Sequence, residues 1–378
     1  MSTESFLRLR LVGMRFDDHA IPLELLRDLA VLEEMVIEVA KLKFLAEHTS
    51  RQRSPRGFTK GIHLKLTTVD HGSAVLNIGL ALDQPYQLPL FPSAIQKQLE
   101  AARDTIIGAI DAAAQEQPVG QYLPGQALSY FDKIGRSLKD EEAIEFANPD
   151  ARVIATLTRD IRRRLVRASS EVKELTEEIS IRGVVPEADQ DEMTFEIQLI
   201  DGRKVKAPIA PQHLETVREA FNGYKDGLRV LFQGIGRFNR SDRLLGFDSI
   251  QHLSILDALD INVQLDELRL IEDGWLEGGG LAPPESGLNW LSDAFDRHFP
   301  ETAPLPHLYP TEAGGVQAEW SLGPNEVTFE VYLDTHAGEW HVLNMDTNAA
   351  SECALNCDDD DDWKWLVAQL DSMGDGNV

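Results

Sequence analysis

Six basic residues offer the plainest chemistry in this 378-residue chain. Arg203, Lys204 and Lys206 lie in one short alternating stretch, and Arg237, Arg240 and Arg243 surround a turn between two apolar stretches. Guanidinium and ammonium groups so placed can hold phosphates, and Tyr224, Phe232 and Phe238 can offer stacking faces for bases. Upstream, Arg159, Arg162, Arg163, Arg164 and Arg167 crowd one predicted helix. They can extend a nucleic-acid surface, or they can dock an acidic part of the same chain. Opposing the first use, Glu187, Asp189, Asp191 and Glu192 make a nearby turn acidic.

Other sets are weaker. Asp17-Asp18-His19 joins two carboxylates to an imidazole, the stuff of acid–base or metal chemistry. It stands beside a helix start, where aspartates ordinarily cap. Cys353-x-x-x-Cys357, with His336 and His341 upstream, has zinc-ligand residue types. It lacks the paired short spacings of a structural zinc site and reads as two reduced cysteines. The run Asp358, Asp359, Asp360, Asp361, Asp362 lacks the interleaved glycine of a calcium loop and reads as a solvated acidic run. Neither Gly278-Gly-Gly280 nor Gly234-Ile-Gly236 has the context of a phosphate loop. The sequence also has no Gly-x-Ser-x-Gly elbow. No catalytic residue, metal or cofactor is expected, and an enzyme is the least supported of three readings.

Charge is distributed unevenly. The formal net charge is −27, of which residues 251–378 carry −23, residues 1–150 carry −5 and residues 151–250 carry +1. Arg269, Arg297 and Lys364 are the only Lys or Arg residues in that last segment. Such a field repels nucleic acid and anionic membranes and attracts basic partners. No apolar run reaches the length of a membrane span. Two cysteines and an N-terminus without the apolar core of a signal peptide point to the cytoplasm.

The elements that must position these residues follow from periodicity. Residues 6–12 alternate as a strand, residues 22–47 read as one amphipathic helix, and residues 62–80 read as a hairpin turning at Asp70-His71-Gly72. Helices near 93–115 and 125–138 and a strand at 152–157 complete an N-terminal α+β layer over residues 1–175. Strands at 179–186, 193–200, 203–208, 228–238 and 243–255, with a helix from Gln212 to Asn222, suggest a small OB-like barrel over 176–258. Other small barrels have similar element orders. Residues 259–378 read as an acidic α+β module. It has helices at Leu265–Leu270 and around Leu288–Phe299, a meander at 316–320, 327–333 and 339–344, and a last helical face of Trp363, Leu366, Val367 and Leu370. The fold class is therefore α+β.

This last segment resembles a C-terminal module of uncharacterised bacterial proteins. The residues that carry the resemblance are Asp273-Gly-Trp275, Leu308-Tyr-Pro-Thr311 and Gly314-Gly-Val-Gln-Ala-Glu-Trp320. The resemblance implies a bacterial origin and an architecture of α+β head, small barrel and acidic module. It implies no activity and carries over no site residues.

Two functions are better supported than an enzyme. In the first, the acidic module engages a basic protein partner, with Asp358–Asp362 steering it and Trp363 and Trp365 holding it. A toxin or defence effector as that partner is an analogy. In the second, the barrel binds single-stranded nucleic acid through its six basic residues. A continuous basic groove favours the second reading. Arginines buried against the acidic module favour the first.

Overall fold

The computed structural model describes residues 4–374 apart from 56, 57, 59, 71–73, 83–91, 152, 153, 170 and 301. The side chains of residues 4, 17–19, 70, 82 and 92–94 also lie outside the described set. The Asp17-Asp18-His19 set and the turn at Asp70-His71-Gly72 therefore fall outside it. Among the described residues no helix is long and apolar enough to cross a membrane.

The chain is α+β. Its first unit opens with β1 (Glu4–Val12), α1 (Leu23–Leu29), α2 (Leu32–Glu47), β2 (Ile62–Asp70), β3 (Val75–Leu82) and α3 (Pro92–Ala114). The short α4 (Gly125–Leu128), β4 (Ala143–Ala147), β5 (Ile154–Thr158) and α5 (Arg159–Ala168) follow. The five strands form one antiparallel sheet in the order β2-β3-β1-β4-β5. Alternation explains β1: Leu7, Leu9 and Leu11 are buried while Arg8 and Arg10 face out. The single helix expected over 22–47 is divided. Asp28, at the end of α1, turns its carboxylate inward to accept the Ser137 N–H at 2.6 Å, and Ala30 N–H bonds back to Arg27 O. The helix expected over 125–138 stops after one turn, and Gly135 beyond it needs a φ of +73°.

The barrel strands are β6 (Leu175–Asp189), β7 (Thr194–Gln198), β8 (Lys204–Pro208), β9 (Val230–Phe238) and β10 (Leu244–Ile255). Helix α6 (Leu214–Asn222) lies between β8 and β9 in the chain. The ring closes in the order β10-β8-β7-β6-β9, with β10 and β8 parallel. Gly202, with a φ of +77°, makes the tight β7–β8 turn. Compact packing divides the chain into two units. Residues 1–180, 205–208 and 233–251 form one, and residues 181–204, 209–232 and 252–378 the other. The residues set out above as one barrel domain, 176–258, are thus shared between them.

The acidic module contains α7 (Ile261–Leu268), α8 (Glu285–His298), β11 (His307–Pro310), β12 (Val316–Leu322) and β13 (Asn325–Tyr332). It ends with β14 (Ala337–Asn344), β15 (Ala350–Asn356) and α9 (Asp360–Gly374). The expected three-strand meander is a five-strand antiparallel sheet in sequential order, gaining β11 and β15 as edges. Asp260 caps α7 by accepting the Val263 N–H at 3.1 Å. One sheet face carries Trp320, Phe329 and Trp340 into a core with Leu265, Leu291, Phe295, Trp363 and Leu366 from the three helices.

Candidate interaction surface

The helices cover one face of the C-terminal sheet, and strand alternation decides what the other carries. Residues opposite one another across the ladder share a face. Glu319 pairs with Thr328, Thr328 with His341, and His341 with Glu352. Glu330 pairs with Glu339, and Glu326 lies opposite Ser321 and Leu343. The open face thus bears Glu319, Glu326, Glu330, Glu339 and Glu352, and strands β11–β15 contain no Lys or Arg. Directly opposed like charges such as Glu330 and Glu339 cost stability. Their field is felt locally: Glu330, with burial and then Glu339 adding, raises the Tyr332 phenol above its ordinary value. His341 stands between two of these glutamates, its ring nitrogens 3.8 Å from Glu339 and 3.9 Å from Glu352.

The tail departs from its expected role. Trp363 is 2% exposed and belongs to the core. Its indole N–H donates to Cys357 O at 2.9 Å, and its ring meets Phe295 and Phe329 edge-on at 5.2 and 6.2 Å. Trp365 is half-buried, edge-on to Trp340 at 5.9 Å. Neither ring stands free beside the acidic run, because the hydrophobic effect draws the apolar face of α9 onto its own sheet. The aspartates serve the helix start. Asp362 accepts the Asn356 N–H at 2.7 Å, Asp359 accepts the Asp361 N–H at 2.9 Å, and Asp361 pairs with Lys364 at 2.7 Å. Asp358 accepts from His336 Nδ1 at 2.8 Å, and Asp360 lies 3.8 Å from His298. Carboxylates there suit the positive end of the helix dipole.

The basic set is only partly free. Arg203 pairs with Asp201 at 2.5 Å, Lys204 with Glu196 at 2.8 Å and Arg237 with Glu174 at 3.1 Å. Arg240 donates to Ser169 O at 3.5 Å, while Lys206 and Arg243 are exposed. Of the proposed stacking residues, Phe232 is fully buried, Phe238 packs on the N-terminal core, and Tyr224 is exposed with its hydroxyl on Gln198.

The arginines of α5 find acidic partners within their own unit. Arg159 and Arg163 clasp the buried Glu177 at 2.7 and 2.6 Å, and Arg162 lies 3.7 Å from it, itself wholly buried. Arg164 pairs with Glu116 and Arg167 with Asp242. Their acidic partners lie upstream of residue 251. Nothing local in the sequence singles out Glu177 among its neighbours Glu174 and Glu178.

The cysteine and histidine set is dispersed among other contacts. His336 stacks on Trp290 at 3.7 Å, and Cys357 is buried while Cys353 is exposed on the edge strand β15. Among the described residues no group of three or more His, Cys, Asp or Glu is disposed to hold a metal ion. Comparison of the chain with protein-family models, curated proteins and solved structures finds no match.

Proposed function

We propose that the C-terminal module is a docking surface for a basic protein partner and that the chain is a non-enzymatic interaction protein. The open sheet face carries this reading. Five glutamates project from it without a lysine or arginine on any of its strands, although two of them oppose each other at a cost in stability. A cationic partner relieves that repulsion on binding, and long-range attraction raises its association rate. The contact surface moves from the tryptophan tail to the sheet, because α9 is occupied in packing.

The test is titration of the full chain with a fluorescent lysine peptide. The comparison is a variant carrying Glu326→Gln, Glu330→Gln, Glu339→Gln and Glu352→Gln. Binding that weakens with salt and falls by about tenfold in the variant is expected from loss of charge complementarity. Equal affinities would remove the sheet face from the interaction.

The barrel favours a second reading. Its ring order, its parallel β10–β8 contact and its helix between the third and fourth strands agree with an OB arrangement. OB folds bind oligonucleotides through strands two and three and the loop between strands four and five. Arg203, Lys204, Lys206, Arg240 and Arg243 are all exposed at those places, and among the described residues Lys206 and Arg243 are the two of them whose side chains have no ion pair or hydrogen bond. Arg203 and Lys204 are already neutralised, and the turn after β6 is acidic, so this reading ranks second. It requires salt-dependent binding of oligothymidylate that is lost in the Lys206→Ala, Arg243→Ala double variant.

A further inference from the structure

The loop joining α7 to α8 exposes three apolar side chains of the acidic module. Trp275 is 37% exposed, Leu276 45% and Leu281 57%. Single exposed apolar side chains are common, but three within seven residues of one ordered loop are a concentration that suits a contact. The loop is stiffly held. Gly274 N–H donates to Gly280 O at 2.9 Å, and Leu276 and Gly279 exchange backbone hydrogen bonds at 3.0 and 2.8 Å. Asp273 accepts the Ala282 N–H at 2.8 Å, and Leu281 N–H reaches Glu312 O at 3.0 Å. Gly280 has a φ of +79°, and a Cβ there would stand 2.8 Å from the Trp275 indole nitrogen. Glycine therefore lets the backbone lie against the ring and fix it, its N–H on Leu281 O at 3.3 Å.

Exposed carboxylates flank these side chains along the chain and on the hydrogen-bonded turn. Glu272, Glu277 and Glu285 belong to the loop and its exit, and Glu312 stands on the contacting turn. The arginine nearest in sequence, Arg269, is held by Asp266 at 2.7 Å and by Asn289 at 2.6 Å. Apolar side chains flanked by exposed carboxylates are complementary to a segment of opposite pattern.

We infer that residues 272–282 anchor the partner, and that the segment they take is a basic stretch of a protein with an apolar or aromatic residue among its lysines and arginines. This rests on the basic-partner reading and adds to it where the partner is gripped and what it must carry. Trp275, Leu276 and Leu281 receive the apolar residue, and the flanking carboxylates receive its basic neighbours. Preorganisation lowers the ordering cost of binding, and buried tryptophan contacts dominate the lifetimes of such complexes.

The experiment compares two fluorescent peptides on the full chain by anisotropy: lysines around a central phenylalanine, and lysines around a central serine. The phenylalanine peptide is expected to bind about tenfold more tightly, the scale of one buried aromatic anchor. That preference should vanish in Trp275→Ser and shrink in Leu281→Ser, both substitutions of exposed side chains, with the binding of the serine peptide unchanged. If both peptides bind wild-type protein equally and salt-dependently, the loop is not an anchor and the acidic sheet face stands alone. A preference that survives both loop variants places the anchor elsewhere and also overturns the inference. If neither peptide binds, the basic-partner reading fails, and the anchor with it.

Discussion

Glu177 shows how single residues settle the fate of the basic helix α5. Burial pushes its carboxyl up, but hydrogen bonds from Arg163 and Arg159 and their charges more than offset that, and the group ends below its ordinary value. A depressed carboxylate contributes stability that is complete above its unfolded value of 4.5 and is lost as pH falls through the folded value. Asp28 works the other way. Burial, first among its causes, raises its carboxyl despite the Ser137 hydrogen bonds, so acidification favours the folded state at that group. The comparison of variants is therefore the test. Glu177→Ala should lower unfolding stability by about 3–5 kcal/mol at pH 7, because it strands the buried Arg162 and the half-buried Arg159 and Arg163. The deficit relative to wild type should shrink below pH 4.5 in denaturant titrations. A loss under about 1 kcal/mol would show that the arginines are solvated after all. The cysteines allow a second prediction. Burial, with Asp358 and Asp362 adding, pushes the Cys357 thiol up to about 12, whereas Cys353 is exposed. Iodoacetamide at neutral pH should alkylate Cys353 in the native chain and both thiols only after denaturation, as read by peptide mass. None of this was legible locally. The arginine run is visible in the sequence, but its partner across the fold is not, so the run looks like free surface.

At the scale of elements, periodicity was a good guide to most strands with one buried face, although the five-residue β4, with Ile144 and Phe146 buried, was not expected. Val316, Ala318 and Trp320 alternate inward along β12, and Val327, Phe329 and Val331 along β13, and both strands were expected. The five barrel strands and α6 also lie close to where alternation put them. The edge strands β11 and β15 were missed for a physical reason. His307–Pro310 has four residues, and β15 has one buried residue in seven, so neither displays an apolar face. Helix α9 was legible as an amphipathic face, but whether that face stays free or packs is a tertiary outcome. The packing makes a prediction. Trp363→Ala should destabilise the C-terminal module by about 3–5 kcal/mol, as removal of a buried tryptophan does. Trp365→Ala, at a half-buried site, should cost less. Thermal unfolding followed by near-ultraviolet dichroism separates the two, and equal small effects would mean that α9 is not part of the core. The surface proposed for the partner was hidden from sequence reading because an open sheet face is defined by which strands pair, and two of those strands were unseen.

For the whole molecule, salt separates self-repulsion from partner attraction because the two respond with opposite sign. Residues 251–378 carry −23 of the −27 net charge. Their exposed carboxylates mostly lack cations, as on the sheet face and around the Trp275 loop. At about 0.01 M salt the screening length is about 30 Å, long enough for these charges to repel across the module, and at about 0.15 M it falls to about 8 Å. Raising sodium chloride over that range should therefore stabilise the unpartnered chain. A gain on the order of 1 kcal/mol corresponds to an increase of about 2–4 °C in the thermal midpoint. The buried Glu177 pairs should hardly respond, because buried pairs are screened less than exposed ones. Over the same salt range, affinity for the lysine peptide should fall, since there the screened interaction is attractive. A midpoint that drops with salt would mean the exposed acids are held by cations within the chain, leaving no unsatisfied field for a partner. A rising midpoint with salt-independent peptide binding would confirm the repulsion but place recognition on apolar contacts alone. Only a stability that rises while affinity falls fits a surface whose negative charge is retained for a cationic partner.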